Sequence, residues 1–409
     1  MINLGERLRT ARERRGISQQ AVAESLGLPR TAVTNMETGK RTVSTLELTR
    51  MAELYGQPST YFLADADAVN EEDISVVLHR AVPEMAERPE IDQAVGHIVD
   101  LCREGAALRE MLNQTTEQAA PDYSNRMNHV GDAIRQGQLV AQEERRRLGL
   151  GNAPIGSLAD VITDQGIWTA ATELPDSLSG FFVNHPSIGV AILVNAQHWP
   201  VRRRFSYAHE YAHALFDRHA PVTTTRQENS SDLVEKRANA FAAAFLMPAE
   251  GVVEQLTQLD KGRPSRLAEV IFDVANNATM ETEIRPRPGS QAITYQDVAA
   301  LARHFGVSYE ATVWRLKSLG HINHPETDNL IQKKEIGKRY IKLLGFLDIL
   351  DEGETAPPPE VELRNELTRL ALEAFRQGEI SRGRIAEISR KLTINPEEMI
   401  ELAEAARGD

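Results

Sequence analysis

In the stretch Arg204-Phe205-Ser206-Tyr207-Ala208-His209-Glu210-Tyr211-Ala212-His213, two histidines stand four positions apart with a glutamate directly after the first. On an α-helix that spacing is about 40° around the axis, so both imidazoles project from one face and can share one metal ion. Zn²⁺ takes imidazole nitrogen readily, and in an H-E-x-x-H pattern the glutamate, here Glu210, reaches a water activated by the metal. Such a set suits metal-assisted hydrolysis, in which a cation polarises a carbonyl and a carboxylate moves the proton.

Zinc chemistry requires a third protein ligand and an open fourth position. Two residues compete for it. His219 follows His213 by six positions, and if the helix continues, that offset turns it about 120° from the metal face. Glu235 opens the segment Glu235 to Pro248, whose Ala238, Phe241, Ala242 and Phe245 have helical spacing and can pack on the histidine helix. Glu235 is therefore the expected ligand. For the oxyanion of a tetrahedral intermediate, Tyr207, Tyr211 and His219 have suitable chemistry.

The elements needed to position these groups are readable nearby. Gly180 to Val183 and Gly189 to Val194, separated by Asn184-His185-Pro186-Ser187, predict a strand hairpin beside the histidine helix. An edge of such a sheet can hold an extended peptide by main-chain pairing. His185 and His198 read as surface turn residues.

Phe-Ser-Tyr-Ala-His-Glu-Tyr-Ala-His-Ala-Leu over 205–215, the later Glu-x-x-Ala-Asn-x-Phe-Ala and the Leu-Met-Pro at 246–248 resemble the ImmA/IrrE family of zinc metallopeptidases. The resemblance implies Zn²⁺ held by His209, His213 and Glu235, with Glu210 as catalytic base. It also implies a protein substrate, in relatives a repressor cleaved in stress, phage or mobile-element control.

Near the start of the chain, Ser18 predicts an N-cap, Gln19 to Ser25 a helix, and Gly27 its stop, with a further helix after Pro29. This is the spacing of a helix-turn-helix. Ile17-Ser18-Gln19, Ala23, Leu26-Gly27 and the run Thr34 to Arg41 resemble the repressor-like XRE family. By that resemblance a double-stranded DNA operator is the partner, Gln19 binds a phosphate, and Arg30, Thr31, Thr34 and Asn35 face base edges. Lys40, Arg41, Arg7, Arg12, Arg14 and Arg15 make the segment locally basic, as phosphate binding requires.

That basic segment sits in an acidic chain. With 46 Lys and Arg against 59 Asp and Glu, the net charge is −13, so nucleic-acid affinity cannot come from the protein as a whole. A lone cysteine, Cys102, excludes an internal disulfide, and its apolar helical neighbours mark it as core. No leader-like or membrane-length apolar run occurs, so the expectation is a cytoplasmic protein without membrane contact.

The remaining segments read as follows. Residues 65–73 form an acidic connector, Ile74 to Leu112 a helical pattern broken near Pro83 and Pro89, and Gln114 to Asn125 a linker. Arg126 to Arg147 predicts a long helix with Arg145-Arg146-Arg147 at a solvated end, and Leu158 to Gly166 a short one. Pro248 to Gly289 reads as polar. Residues 301–320 form a second helix-turn-helix-like pair with an expected structural role. After Pro357-Pro358-Pro359, three helical stretches suggest a unit for dimerisation or docking.

The expected fold is α+β and mostly helical. A helix-turn-helix domain spans 1–65 and a helical connector 66–124. A zincin-like metallopeptidase core with a small sheet follows over 125–325, and a C-terminal helical unit over 326–409. A homodimer is expected.

Overall fold

The computed structural model describes residues 4–14, 17–55, 62, 74–114, 120–123, 126–218, 221–226, 232–261, 267–273, 278–284, 290–343 and 361–408. They belong to two units, Met1–Asp73 and Ile74–Asp409. The acidic connector expected at 65–73 and the proline-rich segment lie outside the described residues.

The first unit consists of helices Leu4–Arg14, Gln19–Leu26, Arg30–Glu37 and Thr45–Tyr55. Ser18 caps the second by accepting from the Ala21 N–H at 3.1 Å, and Gly27 ends it in the left-handed region at φ 67°, where a Cβ would be strained. Leu8, Val22, Val33 and Met51 fill the core. Polar chemistry joins its first and third helices. Arg12 donates to both carboxylate oxygens of Glu37 at 2.6 and 3.1 Å, and both residues are buried. Arg7 is buried too and donates to the Phe62 carbonyl. These two arginines, expected on a phosphate-facing surface, therefore serve the interior. The side chains of Arg14 and Arg15 lie outside the described residues.

The second unit is built on a four-stranded sheet of order β1-β3-β2-β4. Strand β1 (Trp168–Thr172) runs parallel to β3 (Gly189–Asn195), and β2 (Leu178–His185) forms the expected hairpin with β3, pairing Phe182 with Ile192. Strand β4 (Val222–Arg226) adds antiparallel to β2, with an irregularity between Leu178 and Gly180. Side chains alternate across the strands, and both faces are covered. Phe182, Val190, Ile192 and Val194 pack with the histidine helix Pro200–Phe216 and the helix Leu233–Leu246. Trp168, Phe181, Val183 and Leu193 pack on the opposite side with helices Pro89–Met111, Val361–Gln377, Arg382–Lys391 and Pro396–Gly408.

This second face changes the reading of the C-terminal helices. Leu367, Leu370, Ile385 and Met399 are buried in the same core as β1, so their apolar faces complete the unit. Arg109 seals the join: its guanidinium lies 3.7 Å from the Trp168 ring centroid and donates to Glu366 at 3.0 Å. Cys102 is buried beside it, as expected.

Other expectations required correction. Arg145 is not at a solvated helix end: it is 3% exposed and donates to the carbonyls of Phe245, Gly151 and Ala153. Arg147 instead pairs with the buried Glu144 at 2.7 Å. With Arg315, which donates to the Met247 carbonyl at 2.9 Å, Arg145 clamps the C-terminal end of helix Leu233–Leu246, where the helix dipole favours cations. The segment after Pro248 contains helix Ala249–Gln258 and a hairpin of β5 (Leu267–Asp273) and β6 (Ala278–Ile284). His185 is buried, its ring bonded to Ser187. Helices Tyr295–Phe305 and Tyr309–Ser318 bury Leu301, Phe305 and Leu316 in the core around the histidine helix, the expected structural role. Among the described residues, no helix is long and apolar enough to cross a membrane.

Candidate metal centre

The histidine helix starts with Pro200, whose fixed φ suits a first helical position, and stops at Phe216. His209 and His213 lie one turn apart on it, with Nε2 atoms 3.1 Å from each other. Glu235, in the first turn of the partner helix, brings Oε2 to 3.1 Å from His209 Nε2 and Oε1 to 3.5 Å from His213 Nε2. Among the described residues this is the one group of metal-binding types so gathered, its ligand atoms all within 4.8 Å of one another. The helix ends before position 219, and His219 lies outside the described residues.

The outer ring nitrogens are also engaged. His209 Nδ1 meets Asn239 Oδ1 at 3.0 Å, and His213 Nδ1 meets Asp217 Oδ2 at 3.0 Å. Arg237 donates to the other Asp217 oxygen at 2.6 Å, and its guanidinium stacks 4.3 Å over Phe216. With a hydrogen on each Nδ1, both Nε2 lone pairs face the gap beside Glu235. Sequence reasoning missed Asn239, Asp217 and Arg237. A signal existed: Asp217 follows His213, and Asn239 follows Glu235, by one i,i+4 step.

The charges in the cluster test whether it fits a cation. Burial would lower the His213 pKa, but bonds to Asp217 and Glu235 and the nearby carboxylates raise it to about 10. Burial would raise Glu235, yet its bonds to His209 and His213 hold it down at about 2. The site thus draws positive charge into a buried gap, and two imidazoles with one carboxylate match a zinc donor set that leaves a position open.

Glu210 lies alongside. It is fully buried, and among the described residues neither carboxylate oxygen completes a hydrogen bond; the Thr225 hydroxyl of β4 approaches without good geometry. Burial raises its pKa, with His213 and His209 opposing. Its carboxylate presses on β2 at Gly180, where a Cβ would stand 3.1 Å from Oε1. Of the oxyanion candidates, Tyr211 donates to Glu144 at 2.7 Å and is committed to the interior. Tyr207 is turned about 160° from His209 around the helix, towards Glu362 and Arg203.

With this geometry established, residues 162–317 match the family model of the IrrE N-terminal-like domain (Peptidase M78), and residues 3–60 match that of a helix-turn-helix domain. The chain joins a helix-turn-helix domain to an ImmA/IrrE domain. No curated protein matched it. The ImmA/IrrE match contains His209, Glu210, His213 and Glu235 but ends before the C-terminal helices that cover the sheet.

In the helix-turn-helix domain, Arg30, Thr31 and Asn35 are exposed on the third helix and Thr34 is half-buried, on the side away from buried Val33 and Met36. Gln19 donates to Glu37 at 2.8 Å and accepts from Thr34 at 3.2 Å. Lys40 is exposed, whereas Arg41 donates to Glu47 at 2.7 Å.

Proposed function

We propose that this chain is a DNA-binding transcriptional regulator of XRE type with a zinc-dependent endopeptidase domain, acting in the cytoplasm as a homodimer. Its substrate is a repressor or another regulatory protein in stress or mobile-element control. The observation that carries the reading is the convergence of His209, His213 and Glu235 beside the buried Glu210.

His209, His213 and Glu235 would hold Zn²⁺, which when bound supplies the Lewis acidity that polarises a peptide carbonyl and activates water. Glu210, raised in pKa by burial, takes the proton of the attacking water and returns it to the leaving amine. Asn239 and Asp217 keep the imidazoles oriented throughout. On the DNA side, Arg30, Thr31, Thr34 and Asn35 face base edges, while Lys40 and Arg41 meet phosphates. Gln19 joins them with the amide hydrogen that Glu37 leaves over.

The test is Glu210→Gln, assayed on the neighbouring regulator with metal content and operator binding followed in parallel. Cleavage is expected to fall by about 10²–10⁴-fold with zinc and DNA binding retained. Full cleavage by the variant would overturn the assignment of the base.

A second reading is supported by one observation. His209, Glu210, His213 and Glu235 are 2, 0, 0 and 4% exposed, which leaves a peptide little access to the cluster. On that reading the chain is a transcription factor or antitoxin-like repressor whose metallopeptidase fold is a sensor or dimer platform without proteolysis. Stoichiometric zinc with no cleavage of any neighbouring regulator favours it.

A further inference from the structure

The two histidines are supported unequally. His213 gives its outer nitrogen to a carboxylate, Asp217, which is 7% exposed and pinned on its other oxygen by Arg237. His209 gives its outer nitrogen to an amide, Asn239, which is half-buried. All three supporting groups lie within four residues of a candidate ligand in the sequence. Asp217, the residue that caps the C-terminal end of the histidine helix, follows His213 by four positions, Asn239 follows Glu235 by four, and Arg237 lies between Glu235 and Asn239 on their helix. Helix Leu233–Leu246 therefore carries a ligand, the partner of one histidine and the clamp on the partner of the other.

A carboxylate bonded to the far nitrogen pushes negative charge into the imidazole and strengthens it as a donor to a cation; a neutral amide fixes the ring without that gain. We propose that Asp217 and Asn239 are positioning residues that make His213 the strong histidine and His209 the weak histidine of the centre, so that exchanging their charges changes metal affinity in opposite directions. Arg237 belongs to the same device: by holding one Asp217 oxygen, it leaves the other aimed at His213. The inference rests on the metal reading of the site.

The experiment measures zinc affinity by competition with a chromophoric chelator, on the full chain, for the wild type, Asp217→Asn and Asn239→Asp. The absorption spectrum of bound Co²⁺ and the thermal melt of each metal-free protein are recorded alongside. Asp217→Asn is expected to weaken zinc binding about 10–100-fold, and Asn239→Asp to tighten it by up to about tenfold. In both, the Co²⁺ spectrum keeps its tetrahedral intensity while its bands shift. Equal affinity in all three proteins, or a weaker Asn239→Asp, overturns the proposal even if the wild type binds one zinc. A wild type that binds no zinc overturns the metal reading itself, which is a different result. If Asp217→Asn does not fold because Arg237 loses its anion, Asn239→Asp alone still decides, since it adds charge on the half-buried side. A purely structural role for either residue would move the metal-free melt and leave the ratio of affinities unchanged.

Discussion

The third helix of the helix-turn-helix domain and the histidine helix of the ImmA/IrrE domain are built on opposite plans. On the third helix, Arg30, Thr31 and Asn35 stand in solvent, and the buried ionic pair Arg12–Glu37 lies behind them. On the histidine helix, the reactive groups themselves are buried, and their supports Asp217, Asn239 and Arg237 form the layer around them. The difference fits the partners proposed for the two regions. A polyanion is met by solvated donors that can adapt to it, and the rigid part needs only to fix the helix. A small cation is gripped by groups already stripped of water and aimed, because any later reorganisation would weaken the grip. Polar burial therefore serves the frame in one region and the chemistry in the other.

Four changes would sharpen or break that contrast. The largest effect should come from Glu37→Gln, which leaves the Arg12 cation buried without its anion. A loss of about 3–5 kcal/mol is expected in the first unit, seen as an early melting transition, with zinc affinity unchanged. Equal loss of both properties would deny that the two regions are independent frames. Next, Asn35→Ala should reduce operator affinity by about 1–3 kcal/mol and relax preference at one base pair, with the melting profile untouched. An unfolding effect there would mean the exposed face also serves the core.

Gly180→Ala is expected to cost about 1–3 kcal/mol by pressing a methyl group on Glu210 and on the Leu193 carbonyl. Cleavage should fall while zinc remains bound. The smallest effect is the pH response of the chelator-treated protein. His213 is raised from 6.5 to about 10 in the folded state, so its stabilising contribution is full below 6.5 and disappears as pH rises through about 10. Melting temperature should thus decline across that window, whereas zinc affinity should increase, because binding displaces the His213 proton. A metal-free melt that improves with pH would contradict the proton-holding role of the cluster.

Local patterns carried much of this into the sequence. The His209–His213 spacing, Glu235 at a helix start, the Ser18 cap and the Gly27 stop are each set by a few adjacent residues, so they could be read directly. What stayed hidden depends on distant partners. Arg145 in a run of arginines looks solvated until the carbonyls ending another helix are placed around it. Strand β4, with its three threonines, has no apolar run and exists through pairing with β2. The C-terminal helices looked self-contained because their amphipathic pattern does not say that their apolar side meets Trp168. Asp217 and Asn239 were within reach of i,i+4 reasoning, since each sits one turn beyond a ligand.

The Arg109–Glu366 pair spans 257 residues of sequence. During synthesis, then, the back of the sheet stays open until helices Val361–Gln377, Arg382–Lys391 and Pro396–Gly408 have left the ribosome, whereas the first unit closes with contacts inside its own short stretch. A nascent chain would complete its helix-turn-helix domain well before the sheet beneath the histidine helix is covered on its far face, and early termination after residue 343 would leave that face open.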